Sequence, residues 1–321
     1  MKNWIQQINT LGRTQTPFLF IVDFEQQQPI VLPLSEVRPD EILYDFEGVR
    51  NHSITRPSDR PLAMTRGEPD FAVYRQAFDY VMHQLKIGNS FLVNLTFPTE
   101  ITLDLSLREL FYRSQARYKL WLRDQLVVFS PESFVRIADG QIRTYPMKGT
   151  IDASVPDAQL KILQDAKEMA EHTTIVDLLR NDLSRFATQV QVDRFRYVEE
   201  IKTTQSTLLQ VSSEIVGTLP PGYHSQLGSL LAGLLPAGSV SGAPKPKTLE
   251  IIRRAELGPR GYYTGVMGLY DGERLNSGVM IRFVEQAGSQ YFYRSGGGIT
   301  ARSTLEAEYQ ELRDKIYVPT D

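Results

Sequence analysis

The stretch that decides the fold is "SFVRIADGQIRTYP", residues 133–146. Its two halves alternate apolar and polar residues, and Asp139-Gly140 between them is a dipeptide typical of tight β-hairpin turns. The same pattern recurs in "YYTGVMGLYDGERLNSGVMIRFVE", residues 262–285, around Asp271-Gly272. Hairpins join antiparallel strands, and the predicted helices separate blocks of hairpins and do not follow every strand. These features predict an α+β protein with antiparallel sheets.

Several segments carry helical periodicity or helix-start signals. "EPDFAVYRQAFDYVMHQLKIGN", residues 68–89, has one apolar face, with Asp70 suited to cap its start and Gly88 its end. "SLRE", residues 106–109, has the spacing of a capping box and opens another helix. Helices are also predicted over about 157–181 and 245–256, and a final helix from 303, where Ser303 and Glu306 have the spacing of a capping box. Residues 34–69 are expected to be irregular, and residues 189–217 to be mixed in secondary structure.

The composition excludes several classes of protein. The 321 residues carry a net charge of −3, so no overall positive field attracts nucleic acid, and acidic residues interrupt the basic run "KPKTLEIIRRAELGPR", residues 245–260. There is no cysteine, which excludes disulfides, cysteine nucleophiles and cysteine-based zinc sites. The four histidines form no zinc motif. No apolar run has the length of a membrane span, and the first residues do not have a signal-peptide pattern, so a cytoplasmic protein is expected.

Two pairs of glutamates repeat the same spacing. Glu168 and Glu171 lie three residues apart on one predicted helix, and Glu308 and Glu311 do so on the last one. An isolated pair of this kind is ordinarily a solvated helix face. Four carboxylates that converged on one point would suit a hard divalent cation such as Mg²⁺, but spacing alone does not establish convergence.

Three further features each have a functional and a plain interpretation. The glycines of "RSGGGITARS", residues 294–303, could bind an anion through their backbone N–H groups or form a flexible turn. Arg282 alternates with apolar neighbours, so it either points into the interior and needs an anion or points outward and is solvated. Lys148, in "YPMKGT", is either a solvated residue at a strand end or a nucleophile.

Taken in order along the chain, these segments resemble the chorismate-utilising enzymes. That family includes component I of anthranilate synthase and of aminodeoxychorismate synthase, with isochorismate and salicylate synthases as relatives. The resemblance spans roughly residues 70–316 and is carried by "SPESF", "YPMKGT", "KEMAEHTTIVDLLRNDL", "PAGSVSGAPK", "GYYTGVMG", "MIRF" and "SGGGITARSTLEAEYQE". Each motif alone is weak, and seven in this order are specific.

The resemblance implies a fold and a domain organisation. It implies two antiparallel sheets that face each other, with helices packed outside. Residues 1–321 are expected to form a single chorismate-binding domain with a shortened N-terminal part, about 1–69. No tryptophan-binding feedback region is evident, so no such regulation is predicted.

The resemblance also implies ligand-binding residues. Mg²⁺ would lie between the two glutamate pairs, with Glu171 and Glu311 closest and Glu168 and Glu308 beside them or acting through water. The metal would hold the ring carboxylate of chorismate. The enolpyruvyl carboxylate would be bound by Arg282, Tyr263, Lys315 and the backbone of Gly296, Gly297 and Gly298. Gly149, Thr150 and Ser239 would line the ring.

Lys148 selects a branch of the family. Anthranilate-forming relatives carry a small residue at this position, whereas aminodeoxychorismate synthases carry a lysine that acts as the nucleophile. The resemblance therefore implies an aminodeoxychorismate synthase component I, with Glu132 as general acid. The Lys148 amine must be neutral to attack, so its pKa is expected to lie well below the usual value of about 10.4. Since the chain has no cysteine to hydrolyse glutamine, ammonia is expected from a separate glutamine amidotransferase subunit.

Two alternative functions stay open, and a third is disfavoured. An anthranilate synthase component I is the nearest one, and a non-catalytic chorismate-binding subunit is another, because Gln210 stands where ammonia-using relatives usually have a histidine. His172 could replace that histidine or could be a structural residue. The isochorismate branch is disfavoured, because Leu92 occupies the position of its general-base lysine and the acid that it has near Tyr145 is absent.

Overall fold

Two large antiparallel sheets pack face to face, and helices cover their outer surfaces. This arrangement is a computed structural model that describes residues 3–53, 62–202 and 207–319. The predicted α+β class with two facing sheets is confirmed. None of the helices in the described residues combines the length and apolar character needed to cross a bilayer.

The helices follow the local sequence signals in most places. Asp70 accepts hydrogen bonds from the backbone N–H groups of Ala72 and Val73, as a helix cap does. The capping box of Ser106 and Glu109 is formed in both directions. The helices are α1 (Asn3–Arg13), α2 (Phe71–Lys86), α3 (Leu107–Arg113), α4 (Ala158–Gln164), α5 (Ala166–Leu183), α6 (Leu227–Leu234), α7 (Lys245–Ala255) and α8 (Leu305–Asp314).

Two helix predictions need correction, and one N-terminal helix is missing from the predictions. The predicted helix over 157–181 is two helices, because Asp165 leaves the helical conformation and caps α5 by accepting the N–H of Glu168. The capping box predicted at Ser303 is wrong, since Ser303 accepts the N–H of Thr300 and α8 begins at Leu305. Helix α1 was not predicted, although its apolar residues have helical spacing and pack on α6.

Sheet 1 has nine strands in the described residues. They are β1 (Phe18–Val22), β2 (Ile30–Pro33), β9 (Ser133–Ala138), β10 (Gln141–Thr144), β11 (Met147–Asp152), β12 (Thr188–Lys202), β13 (Thr207–Thr218), β15 (Val266–Tyr270) and β16 (Leu275–Val279). Their order is β11-β13-β10-β9-β16-β15-β1-β2, with β12 also paired to β13. Both predicted hairpin turns, Asp139-Gly140 and Asp271-Gly272, connect neighbouring strands of this sheet.

Sheet 2 also has nine strands in the part of the chain that is described. They are β3 (Ile42–Phe46), β4 (Val49–Arg50), β5 (Met64–Arg66), β6 (Leu92–Leu103), β7 (Tyr118–Leu122), β8 (Leu126–Ser130), β14 (Gly242–Ala243), β17 (Phe283–Ala287) and β18 (Gln290–Ile299). Their order is β14-β6-β18-β17-β8-β7-β3-β4, with β5 also paired to β6.

Alternation along β1 shows how the layers are built. Leu19 and Ile21 are buried against residues of sheet 2, whereas Phe18, Phe20 and Val22 are buried against the helical layer of α1, α5 and α6. Successive side chains of a strand point to opposite faces, so a fully apolar strand such as "FLFIV" requires cover on both sides. The sequence of β1 therefore matches its central place between two layers.

The N-terminal part contributes to both sheets. Within residues 34–69, predicted to be irregular, the structure forms β3, β4 and β5, and residues 54–61 lie outside the described part. Residues 189–217, predicted to be mixed, are mostly the long antiparallel pair β12 and β13. The single domain over 1–321, with a shortened part at about 1–69, stays a prediction.

The chain passes from one sheet to the other next to Arg282. The predicted strand "VMIRFVE" is interrupted: β16 ends at Val279 in sheet 1, and β17 begins at Phe283 in sheet 2. Arg282 has a φ of +53°, which is uncommon for a residue other than glycine. This left-handed conformation redirects the chain between the sheets. Arg282 is thereby placed at their junction.

A buried ion pair connects several elements around β6. The Arg260 guanidinium is 1% exposed and donates to both carboxylate oxygens of Glu256, at 2.9 and 2.6 Å. It also donates to the carbonyl oxygens of Val240 and Asn94, each at 2.7 Å. The Glu256 carboxylate in turn accepts the backbone N–H of Thr96 at 2.9 Å. The pair thus joins α7, β6 and the segment that leads to β14.

The same arginine belongs to the basic run at 245–260, whose cations are partly internal. Lys245 is also largely buried and donates to Asp182 at 2.7 Å. Lys247 and Arg254 are more exposed, and both pair with Glu250. That the run does not bind nucleic acid stays a prediction.

Replacing Arg260 by alanine should destabilise the fold by about 3–5 kcal/mol, because Glu256 would stay buried without its cation. Arg254→Ala is the matched control: its ion pair with Glu250 is exposed, so its loss should leave the free energy of unfolding nearly unchanged. Urea unfolding followed by circular dichroism measures both values. Equal free energies of unfolding for the two variants would contradict the structural role given to Arg260.

Candidate active site

The candidate site lies where β11 of sheet 1 meets the β6 and β18 region of sheet 2. Among the described strands β11 pairs with β13 alone, and it is covered by α4 and α5. Strand β18 pairs with β6 and is covered by α8. The lysine of "YPMKGT" and both glutamate pairs occur on these elements, so the fold brings together residues that are far apart in the sequence.

Lys148 lies at the centre of this region. Its ammonium donates to Glu171 Oε2 at 3.2 Å, and its side chain is only 24% exposed. Burial lowers the pKa of Lys148, but the negative charges of Glu171, Glu311 and Glu168 outweigh burial and raise the pKa above its usual value. The sequence predicted a lowered pKa, and that prediction is wrong for this arrangement, in which three carboxylates act on the amine.

Glycines allow the two sheets to approach at this point. A methyl group on Gly298 would stand 3.1 Å from Lys148 Nζ, and one on Gly297 would stand 3.2 Å from Glu311 Oε1 and 3.3 Å from Glu308 Oε2. The loop predicted for Gly296–Gly298 is wrong, since all three glycines lie in β18 opposite Thr96, Leu95 and Asn94. These glycines therefore provide room for side chains of other elements, and their φ angles are not positive.

The four predicted metal ligands come from α5 and α8. Glu171 and Glu308 are 8% and 3% exposed, which is low for carboxylates. A donor set made only of carboxylate oxygens fits the preference of a hard divalent cation. Within residues 3–53, 62–202 and 207–319, no three acidic or histidine side chains are already arranged as a metal-binding group. In this structure Lys148 pairs with Glu171, and Lys315 pairs with Glu311.

Glu132 lies at a small cavity beside these groups. Its carboxylate accepts a short hydrogen bond from Ser239, and the two residues line a space of about 10 Å³ together with Tyr145 and Leu179. Burial raises the pKa of Glu132, against the lowering effects of the Ser239 hydrogen bond and the charges of Lys148, Lys315 and Arg282. A raised pKa favours the protonated acid that a proton donor requires.

Two cations and a tyrosine complete the region. Lys315 donates to the carbonyl of Gly296 at 2.8 Å and also pairs with Glu311, and burial lowers its pKa. Arg282 donates to the carbonyl of Lys315 at 3.3 Å, and its buried Nε has no hydrogen-bond partner among the described residues. Tyr263 is buried against Phe283, and burial raises its pKa to about 12. An anion could satisfy the free donor of Arg282.

Strand β11 separates the predicted ring-lining residues. Gly149 has a φ of +84°, and a methyl group on it would stand 3.2 Å from Glu168 Oε2. It forms a bulge with Lys148, so that both residues face α4 and α5. Thr150 is exposed and pairs with Gln210, on the opposite face of the sheet. The structure thus brings Gly149 to the site and directs the Thr150 side chain away from it.

His172 has a structural partner. Its Nε2 lies 2.6 Å from the Ser213 hydroxyl oxygen, which also accepts the backbone N–H of Arg196. Burial and the charges of Arg196 and Lys148 lower the pKa of His172 to about 4, so the imidazole is neutral at neutral pH. Gln210 lies on the opposite face of β13 from Ser213. His172 therefore packs against one face of sheet 1, and Gln210 lies on the other face.

Asn94 is a site residue that was not predicted from the sequence. Its carboxamide oxygen is buried and has no hydrogen-bond partner among the described residues. Asn94 lies directly opposite Gly298, the glycine that borders Lys148. The signal was present in "FLVNL", where a single amide interrupts an apolar strand.

Comparison with known proteins gives a consistent result. The family model described as "chorismate binding enzyme" matches residues 16–321. An uncharacterized PabA-like protein of Haemophilus influenzae is 50% identical over 321 residues, which cover 100% of this chain and 98% of the relative. Aminodeoxychorismate synthase component 1 of Escherichia coli is 32% identical over 278 residues, covering 82% of this chain and 59% of the relative.

A solved structure agrees in fold. The menaquinone-specific isochorismate synthase of Escherichia coli superposes with a TM-score of 0.75 at 18% identity, covering 98% of this chain and 80% of that structure. At this identity the similarity shows the arrangement of sheets and helices alone.

Replacing Ser239 by alanine should raise the pKa of Glu132 further, because the carboxylate would lose the hydrogen bond that favours its charged form. Ser225→Ala is a suitable control, since the Ser225 hydroxyl donates only within its own turn. Carbon-13 NMR of glutamate-labelled protein, with Glu132→Gln to assign the signal, measures this pKa. An unchanged or lower pKa in Ser239→Ala would contradict the geometry of the pair.

Proposed function

The chain belongs to the chorismate binding enzyme family, and from this premise we propose that it is an aminodeoxychorismate synthase component I. It converts chorismate and ammonia to 4-amino-4-deoxychorismate, a precursor of para-aminobenzoate and folate. The proposal rests on the Lys148 amine, which faces Glu171 and the glycines of β18 at the junction of the sheets and not bulk solvent. The E. coli relative with that activity supports this choice.

In the first step the Lys148 amine acts as nucleophile. Its lone pair forms a bond to C2 of the ring, both double bonds of the ring diene shift by one position towards C4, and the C4 hydroxyl leaves. Glu132 supplies a proton, so the leaving group is water and the product is a protonated secondary amine beside the Glu132 carboxylate. The buried, protonated state favoured for Glu132 suits this role.

In the second step ammonia replaces the lysine. The ammonia lone pair forms a bond to C4, both ring double bonds shift back, and the bond between C2 and Lys148 Nζ breaks with its electrons returning to nitrogen. Neutral Lys148 and a protonated amino group on C4 result, so charge is conserved. Glu132 or solvent accepts the surplus proton. The covalent route divides one difficult displacement into two easier ones.

The charges of the site suit a dianionic substrate. Arg282, with its unpartnered Nε, and Lys315 are positioned to bind one carboxylate. Glu168, Glu171, Glu308 and Glu311 would hold Mg²⁺, which when bound would offset their negative charge and polarise the second carboxylate. Once these carboxylates are neutralised, Lys148 loses the main influence that raises its pKa.

The nitrogen source is a separate protein in this proposal. With no cysteine, the chain cannot hydrolyse glutamine through a thiolate. A glutamine amidotransferase subunit would therefore supply ammonia, and free ammonium salts should replace it in vitro.

Replacing Lys148 by alanine should lower the rate of chorismate consumption by on the order of 10³-fold or more, because the nucleophile is lost. Lys161→Ala, an exposed lysine on α4, should leave the rate unchanged. The assay contains chorismate, Mg²⁺ and ammonium chloride, with products identified by mass spectrometry. Intact-protein mass spectrometry should detect a lysine-linked adduct only when Lys148 is present.

Two results would count against the proposal. Formation of anthranilate with release of pyruvate would identify an anthranilate synthase component I, and no consumption of chorismate by the wild type would favour a non-catalytic binding subunit. An unchanged rate in Lys148→Ala would remove the nucleophile.

Replacing Gly297 by alanine should weaken Mg²⁺ binding by about tenfold or more, because the added methyl group would displace Glu308 and Glu311. Gly258→Ala is the matched control, since nothing lies within 4 Å of its added methyl group. Calorimetric titration with Mg²⁺, together with the Mg²⁺ dependence of the rate, measures the effect. Equal Mg²⁺ affinity in the two variants would refute a metal site at this pair.

A further inference from the structure

Asn94 is held rigidly at the border of the site. Its backbone N–H donates to the carbonyl of Ser241 at 2.8 Å, and its carbonyl accepts from Arg260 at 2.7 Å. The carboxamide is not used in these contacts, and its buried oxygen has no hydrogen-bond partner among the described residues. Burying an unpaired polar atom costs stability, so the carboxamide has no evident structural reason to be there.

The carboxamide borders the same space as the nucleophilic lysine. Residues directly opposite each other in an antiparallel pair place their side chains on the same face, about 4.5–5.5 Å apart. Asn94 is opposite Gly298, and a methyl group on Gly298 would stand only 3.1 Å from Lys148 Nζ. Asn94 and Lys148 therefore both border Gly298, and Leu92 Cδ1 also lies 3.1 Å from the position of that methyl group. Leu92, the next residue on this face of β6, is apolar and buried.

We propose that the Asn94 carboxamide binds the ammonia molecule that displaces Lys148, by accepting one of its N–H groups. This inference rests on the proposed function and names the residue that holds its second substrate. Ammonia attacks through its single lone pair, so an acceptor must hold an N–H group to aim that lone pair at C4.

The chemical nature of the acceptor matters. A nearby carboxylate would stabilise ammonium, which has no lone pair, whereas an amide oxygen is too weakly basic to take up or retain the proton. A neutral acceptor therefore orients ammonia without inactivating it. The bonds formed and broken are those of the second step, and Asn94 gains and loses no atom.

The test removes the carboxamide without removing bulk. Asn94→Leu should lower kcat/KM for ammonia by on the order of tenfold, the effect of one lost hydrogen bond in a dry site. The KM for chorismate should change by less than about twofold, because the hydrogen bond that is lost was made to ammonia and not to chorismate. The lysine-linked adduct should accumulate, because its formation precedes ammonia attack.

Thr99→Val is the matched control. Thr99 lies on the same strand, and its hydroxyl is likewise buried without a hydrogen-bond partner among the described residues, but it pairs with Tyr293, five residues along β18 from Gly298. Both substitutions should leave the melting temperature equal to or above that of the wild type, and only Asn94→Leu should change the ammonia dependence. This combination separates a substrate-binding role from a structural one.

Other outcomes overturn the inference. Ammonia kinetics in Asn94→Leu equal to those of the wild type would do so, as would a raised KM for chorismate with unchanged ammonia dependence. If Asn94→Leu melts at a lower temperature, Asn94→Ala, which adds no bulk, must show the same ammonia defect. If the wild type makes no aminated product, the proposed function itself fails. If the wild type makes this product and Asn94→Leu has the same ammonia kinetics, only this inference fails.

Discussion

The buried Arg260–Glu256 ion pair is the contact on which the geometry of the site depends. Its hydrogen bonds reach β6 at Asn94 and Thr96, the carbonyl of Val240, and the end of α7. A buried charge requires a partner in a fixed position, so these elements cannot shift independently. The side of the site formed by β6 and β18 is therefore fixed by a contact outside it. The Lys148 side is held separately, by β13 and α5.

Local charge balance explains how an acidic chain could bind a dianion. The site contains three cations, Lys148, Lys315 and Arg282, among four glutamates. The whole chain carries a net charge of −3. Without ligand, Lys148 is paired to Glu171 and Lys315 to Glu311. A ligand or a metal must rearrange these pairs. The protonation state of Lys148 therefore depends on what the carboxylates bind. Burial alone would not create this dependence.

The glycines of β18 illustrate how one motif can serve a different physical purpose from the expected one. A run of three glycines ordinarily indicates a flexible or anion-binding loop, because glycine tolerates positive φ. Here the run lies inside a paired strand, and the missing side chains make room for Lys148, Glu308 and Glu311, which come from β11 and α8. What matters is the absence of Cβ atoms where two sheets and a helix meet.

The sequence by itself determined the class of fold, the hairpins at Asp139-Gly140 and Asp271-Gly272, and the family, because these depend on local turn chemistry, periodicity and ordered motifs. It also identified most residues of the candidate site. Tertiary structure alone decided that Gly296–Gly298 form a strand, that Arg282 lies where the chain changes sheets, that Thr150 faces away from Lys148, and that Asn94 borders it. Tertiary structure also decided that the pKa of Lys148 is raised and not lowered. Each of these depends on residues distant in the chain that meet across strands, and spacing along the sequence contains no information about such distances.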